Sequence, residues 1–116
     1  MHNPVRYLDY EGMSTDLDER ERLAESLGDQ FVLILRNHGL LTANRSVGEV
    51  FVRMYYLERA CTVQMQVLAS GRPYRKVSQK LQEHVANQGE QHISPGLSEW
   101  PALLNLVENY YPDFRG

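Results

Sequence analysis

The feature that most constrains the fold is a run of large apolar residues, FVLIL, at positions 31–35. Its residues do not alternate with polar ones, a pattern typical of a strand that is buried on both faces in a sheet covered by helices. A second extended run, residues 40–43, follows directly after Arg36-Asn37-His38-Gly39. The two runs predict a hairpin, with Gly39 free to take a positive φ in its turn.

The acidic segment that precedes this hairpin predicts a first helix. Asp16 is expected to cap it, with Glu19 three residues on as the partner of a capping box, and Gly28 is expected to end it. Residues 18–22 are interpreted as a solvated face, because acidic side chains are stabilised at a helix N-terminus without any catalytic role. A catalytic carboxylate pair within that run is the alternative. Before this helix, residues 5–10 predict a short strand or extended arm.

Three further helices are expected downstream. Ser46-Val47-Gly48-Glu49 is a capping box, and Gly71-Arg72-Pro73 ends the long helix behind it. Residues 77–85 predict a weaker helix, residues 88–96 a polar loop, and residues 98–110 a last helix. The tyrosine pair 55–56 is expected to fill the core or an interface, and the pair 110–111 to cap the last helix against the body. The long helix carries a predicted apolar stripe: Val47, Val50, Phe51, Met54, Leu57, Cys61, Met65 and Leu68.

Composition excludes several classes of partner. With 12 basic and 15 acidic residues, the formal charge of -3 gives no electrostatic reason to expect nucleic acid or an anionic membrane. The single cysteine, Cys61, allows no internal disulfide and suits a reducing compartment. Neither a signal-peptide pattern nor an apolar run of roughly 20 residues is present. We therefore expect a soluble, cytoplasmic protein.

Histidine is the residue type with the clearest chemical potential in this chain. None of His2, His38, His84 and His92 stands at metal-ligand spacing from another, and no His-Glu-x-x-His or paired-cysteine motif occurs. His38 differs from the others because it ends a buried strand beside a glycine, and strand ends often supply ligands in α/β proteins. The alternative is that its ring nitrogens satisfy backbone groups of the turn.

The sequence around His38 resembles a known family. Residues 33–42, LILRNHGLLT, look like the Asn-His-Gly hairpin of the class II aldolase/adducin family. Residues 9–12, 16–23, 48–61 and 99–104 resemble other segments of that family in the same order, and the last resembles its adducin-like bacterial branch. The resemblance covers most of residues 6–115.

The resemblance implies a three-layer αβα sandwich with a mostly antiparallel sheet. This chain would form part of it, with two or three strands and about four helices, as a single N-terminally truncated domain over residues 1–116. It also implies a divalent metal, usually zinc, held by three histidines, and His38 matches the third of them. Such a metal polarises a carbonyl and stabilises the enediolate. The His-x-His pair and the acid/base glutamate of the family would precede Arg6, so the chain offers no catalytic residue and no other cofactor-binding residue.

Two functions remain open. The family chemistry is metal-dependent aldol cleavage or epimerisation of a sugar phosphate, so an active form would be an aldehyde-lyase. Alone, this chain is expected to bind metal weakly and to be inactive, and to work as a homo-oligomer or with a complementing N-terminal half. The alternative is a non-catalytic adducin-like interaction or structural module, or an inactive remnant.

Overall fold

A computed structural model describes residues 5–9, 17–92 and 96–115. The described residues form two compact units, one within residues 1–44 and one within residues 45–116. The first contains three strands and a helix and the second three helices, which confirms the predicted α/β class. In chain order the elements are β1 (Val5–Asp9), α1 (Leu17–Leu27), β2 (Val32–Arg36), β3 (Gly39–Thr42), α2 (Val47–Ala69), α3 (Gln79–His92) and α4 (Glu99–Tyr110).

Strand β2 lies at the centre of the sheet, in the order β1-β2-β3. Strand β3 pairs with it antiparallel, as the predicted hairpin requires, and β1 pairs with its other edge in parallel, with Val5 opposite Val32. The described sheet is therefore mixed. Leu33 is fully buried and Val32 nearly so, whereas Phe31 lies outside the strand and is 40% exposed. The predicted buried strand is confirmed, shifted by one residue.

Helix α1 is the crossover that makes the β1–β2 pairing parallel, and it packs against both strands. It ends as predicted at Gly28, whose φ is 54° and whose N–H donates to the Ala24 carbonyl at 2.9 Å. Its predicted cap, Asp16, lies outside the described residues. The face predicted to be solvated is exposed at residues 18 and 20–22, but Glu19 is buried.

The ends of helix α2 agree with the sequence. Ser46 Oγ accepts a hydrogen bond from the Glu49 N–H at 3.2 Å, which is the N-cap bond of the predicted capping box, and the Ser46 hydroxyl donates to the Glu49 carboxylate at 2.9 Å. Gly71, with φ 64°, follows the last turn. Although α2 is 23 residues long, no helix in the described part of the chain is both long and apolar enough to cross a membrane.

The predicted stripe of α2 is only partly correct. Its central positions, residues 50, 54, 57 and 61, are half-buried, but Val47, Met65 and Leu68 are more than half exposed. The buried positions of this helix are Gly48 and Val52, because both lie near the start of α4, against which α2 packs. The helical spacing of apolar residues predicted the helix correctly. It does not show which part of the apolar stripe packs against another helix.

Three further predictions on this unit were wrong in whole or in part. The expected loop at 88–96 is helical as far as His92, because polar residues can form a helix without an apolar stripe. Residues 93–95 lie outside the described part. Tyr55 and Tyr56 are 54% and 63% exposed, so they do not fill a core, although the interface interpretation stays a prediction. Tyr110 and Tyr111 are 73% and 69% exposed and do not cap α4 against a body.

Candidate metal-ligand turn

His38 lies in the tight turn that joins β2 to β3, and it is exposed. Its backbone N–H donates to the Leu35 carbonyl at 3.1 Å, which closes the turn. The left-handed residue of this turn is Asn37, with φ 59°, and Gly39 does not use its freedom to take a positive φ. Asparagine is among the few residues that tolerate this region, and Gly39 is consequently free to begin β3.

The turn follows the point where two parallel strands end side by side. Asp9 and Arg36 are register partners at the carboxyl ends of β1 and β2. Arg36 Nη1 donates to Asp9 Oδ1 at 2.9 Å, and the Arg36 guanidinium carbon lies 5.5 Å from the centroid of the Tyr7 ring. We call Tyr7, Asp9 and Arg36 the strand-end cluster. It places two charged groups and an aromatic ring on β1 and β2, beside the end of β2 that leads into the His38 turn.

Sequence reasoning missed the strand-end cluster. Alternation places Tyr7 and Asp9 on one face of β1, but their pairing with Arg36 depends on the β1–β2 register. No local pattern encodes the register of two strands joined through a helix. The strand-end cluster could therefore be identified only from the three-dimensional structure.

The described residues do not form a complete metal site. No three histidine, cysteine, aspartate or glutamate side chains stand close enough together to hold an ion in the parts of the chain that the structure describes. Of the other candidate donors, His84 is exposed on α3 and Cys61 is half-buried on α2. A catalytic zinc site needs about three protein ligands. The exposed imidazole of His38 is thus suited to be one ligand of a site, and the described residues alone do not fit the whole of it.

A concave surface lies in the helical unit, between α2 and α4. It encloses about 400 Å³ and is lined mainly by aromatic and aliphatic side chains, among them Phe51, Tyr55 and Leu103. Glu99 is its acidic group. The pKa of Glu99 is lowered, first by its own backbone N–H and then by the Ser98 hydroxyl, which donates to the carboxylate at 3.0 Å. These bonds anchor the carboxylate at the start of α4 and give it a structural role.

Comparison with known proteins identifies the family. Residues 1–65 match the family model described as Class II Aldolase and Adducin N-terminal domain. This match covers more than half of the chain and includes β1, the His38 turn and most of α2. The chain therefore belongs to the class II aldolase/adducin family.

Individual relatives agree with this assignment. A Caulobacter vibrioides protein named for aldolase class 2 is 36% identical over 116 residues, which cover 95% of this chain and 44% of the relative. Rat alpha-adducin is 35% identical over 119 residues, covering 90% of this chain and 16% of that protein. The crystal structure of an aldolase II superfamily protein from Pseudomonas syringae superimposes with a TM-score of 0.78 at 38% identity, covering 97% of this chain and 46% of that one. The chain thus spans less than half the length of these relatives.

Proposed function

We propose that His38 is one ligand of a divalent-metal site that serves aldol cleavage or epimerisation of a sugar phosphate. The other ligands would come from outside the described residues, as a complementing N-terminal half or a second copy. The observation that carries this proposal is the position of His38: an exposed imidazole in a tight turn at the carboxyl end of two parallel strands. Ligands of α/β proteins bind at such strand ends.

The surroundings of the turn support the same role. The positive φ of Asn37 and the bond from the His38 N–H to Leu35 fix the backbone of the turn. A fixed backbone lowers the entropy that a ligand side chain loses when it binds metal. Zinc, which accepts neutral imidazole nitrogen, is the metal we expect.

The first experiment measures zinc binding by the chain itself. Calorimetric titration with zinc chloride is expected to show weak binding, because a single imidazole is far short of a full ligand set. His38→Ala should remove most of that binding. His84→Ala removes an equally exposed imidazole from α3 and should leave it unchanged. Equal losses in the two variants would contradict a specific role for His38.

A second experiment supplies further ligands from a relative. The part of the Caulobacter vibrioides relative that aligns with this chain is replaced by this chain, and the metal content of the purified chimera is measured. We expect stoichiometric zinc in the chimera, its loss in the His38→Ala chimera and its retention in the His84→Ala chimera, with unchanged circular dichroism in all three. Full zinc in the His38→Ala chimera would overturn the proposal.

The second candidate function is a non-catalytic interaction or structural module. The similarity to rat alpha-adducin over 90% of this chain favours it. The chimera separates the two candidates. Cleavage of a sugar phosphate that depends on both zinc and His38 would support the enzyme. A folded chimera that takes up no zinc and cleaves no sugar phosphate would support the module.

A further inference from the structure

The helical unit has a large apolar groove beside α3. The groove encloses about 820 Å³ between the C-terminal part of α2, the segment that follows it and α3. Its apolar wall consists of Val67, Leu68, Tyr74, Val77, Leu81 and Val85. All but Val67 are at least half exposed, so this wall is open to solvent. We call it the α2–α3 groove.

The two charged side chains that line the α2–α3 groove, Arg75 and Lys76, are both basic. Arg72 and Lys80 lie near them in the sequence, and Glu83 follows the lining residue Gln82. No aspartate or glutamate occurs between Arg59 and Glu83, although the whole chain carries a net charge of -3. An apolar floor with two basic side chains at its rim suits a segment that combines apolar anchors with carboxylates.

The end of the described chain has this composition. Residues 106–115, which we call the C-terminal segment, cover the last part of α4 and the turn behind it. Four of its apolar side chains are exposed by 41% or more: Leu106, Tyr110, Tyr111 and Phe114. Its charged residues are Glu108, Asp113 and Arg115, and Arg115 forms an ion pair with Glu108. The C-terminal segment is therefore aromatic, exposed and net acidic.

We propose that the C-terminal segment of one copy of this chain docks into the α2–α3 groove of a second copy. Its aromatic side chains would occupy the apolar floor, and Glu108 and Asp113 would face Arg75 and Lys76. Tyr110, Tyr111 and Phe114 are 73%, 69% and 41% exposed, so docking removes roughly 270–460 Å² of their surface, at 150–250 Å² for each full side chain. That is about half of the roughly 800 Å² that each partner contributes to a standard interface, and Leu106 and the backbone around the rings add to it. Because the two surfaces differ, the contact is heterologous, and its repetition closes a ring or extends a chain.

The test is sedimentation equilibrium of the full chain over a range of protein and salt concentrations. We expect self-association that weakens as salt rises, since the contact includes exposed charges. The double variant Arg75→Glu/Lys76→Glu should weaken association by about tenfold or more. Arg20→Glu/Arg59→Glu makes the same change in net charge outside the groove, and we expect it to stay close to wild type.

Charge reversal in the C-terminal segment completes the experiment. Glu108→Lys/Asp113→Lys alone should also dissociate, whereas its mixture with the Arg75→Glu/Lys76→Glu variant should associate, because one intact segment then meets one intact groove. A peptide of residues 106–115 should compete with wild-type association. A wild-type monomer at every concentration, or association that neither reversal changes, would overturn the proposal. A monomer that cosediments with phosphatidylserine vesicles would overturn it in favour of a lipid surface.

Discussion

Gly96 and Gly48 bring two distant segments of the helical unit into backbone contact. A β-carbon built on Gly96 would lie 2.4 Å from the carbonyl carbon of Gly48, and one built on Gly48 would lie 2.8 Å from the Trp100 Cβ. Gly96 also has a φ of 84°, which L side chains rarely adopt. The first turn of α2 therefore approaches the start of α4 so closely that neither position has room for a side chain. This contact is one reason why Gly48 is buried.

Gly96→Ala is expected to destabilise the protein by at least about 2 kcal/mol. The added methyl would collide with backbone atoms of Gly48 and Glu49, which cannot move aside as a flexible side chain can. The measurement is the free energy of unfolding in urea. Gly89→Ala is the matched control: it lies inside α3 with no atom within 4 Å of the added carbon, so it should stabilise by about 0.5–1 kcal/mol. Similar effects of both substitutions would contradict the close contact.

Asn37→Ala is expected to lower the free energy of unfolding by about 1 kcal/mol, because alanine is strained at a φ of 59°. Asn37→Gly should be neutral or slightly stabilising at the same position. Gly39→Ala should change stability by less than about 0.5 kcal/mol, since Gly39 has no positive φ and no atom lies within 4 Å of the added carbon. Urea denaturation of the three variants checks these values, and a larger loss from Gly39→Ala than from Asn37→Ala would contradict the described turn.

Glu99 should make stability depend on acid pH. Hydrogen bonds from its own N–H, from the Ser98 hydroxyl and from the Gly96 N–H lower the pKa of this carboxyl in the folded protein. Its contribution is therefore complete above the unfolded pKa, about 4.3, and is lost as the pH falls through the lower folded value. The difference in free energy of unfolding between wild type and Glu99→Gln should be constant above about pH 4.3 and shrink below it. A difference that grows on acidification would contradict this assignment.

The Asp9–Arg36 ion pair should contribute little to stability by itself. Both side chains are more than half exposed, at 76% and 56%, so solvent screens their attraction. A double-mutant cycle with Asp9→Asn and Arg36→Gln is expected to give a coupling energy below about 1 kcal/mol that falls further at high salt. A coupling of several kcal/mol, insensitive to salt, would show that the strand-end cluster is more strongly held than its exposure implies.

Local sequence signals predicted most of the elements. The capping box at Ser46 and the terminal glycines Gly28 and Gly71 act within one helical turn, so the sequence alone locates them. The Asn-His-Gly turn was predicted from two adjacent apolar runs, and the structure has His38 in the turn that follows β2. These features depend on interactions between residues a few positions apart.

Features that depend on distant partners could not be predicted in the same way. The strand-end cluster requires the register between β1 and β2, and the burial of Gly48 requires the approach of Gly96. Helix α3 extends beyond its apolar residues, where periodicity gives no signal. Any ligands that would share a metal with His38 are also distant in sequence, so local patterns around His38 cannot identify them.

The parallel pairing of β1 with β2 has a consequence for the order of folding. Its register joins Val5 to Val32 across the whole of α1, whereas the hairpin joins Val32 to Thr42 through a short turn. Closing the longer loop costs more entropy, so we expect the hairpin to form first and β1 to pair with it later. Until then β2, the most apolar of the three described strands, has an unpaired edge, which is a template for intermolecular pairing. We therefore expect the yield of native protein on refolding at high concentration to depend on how fast β1 pairs with β2, with the remaining chains lost to aggregates.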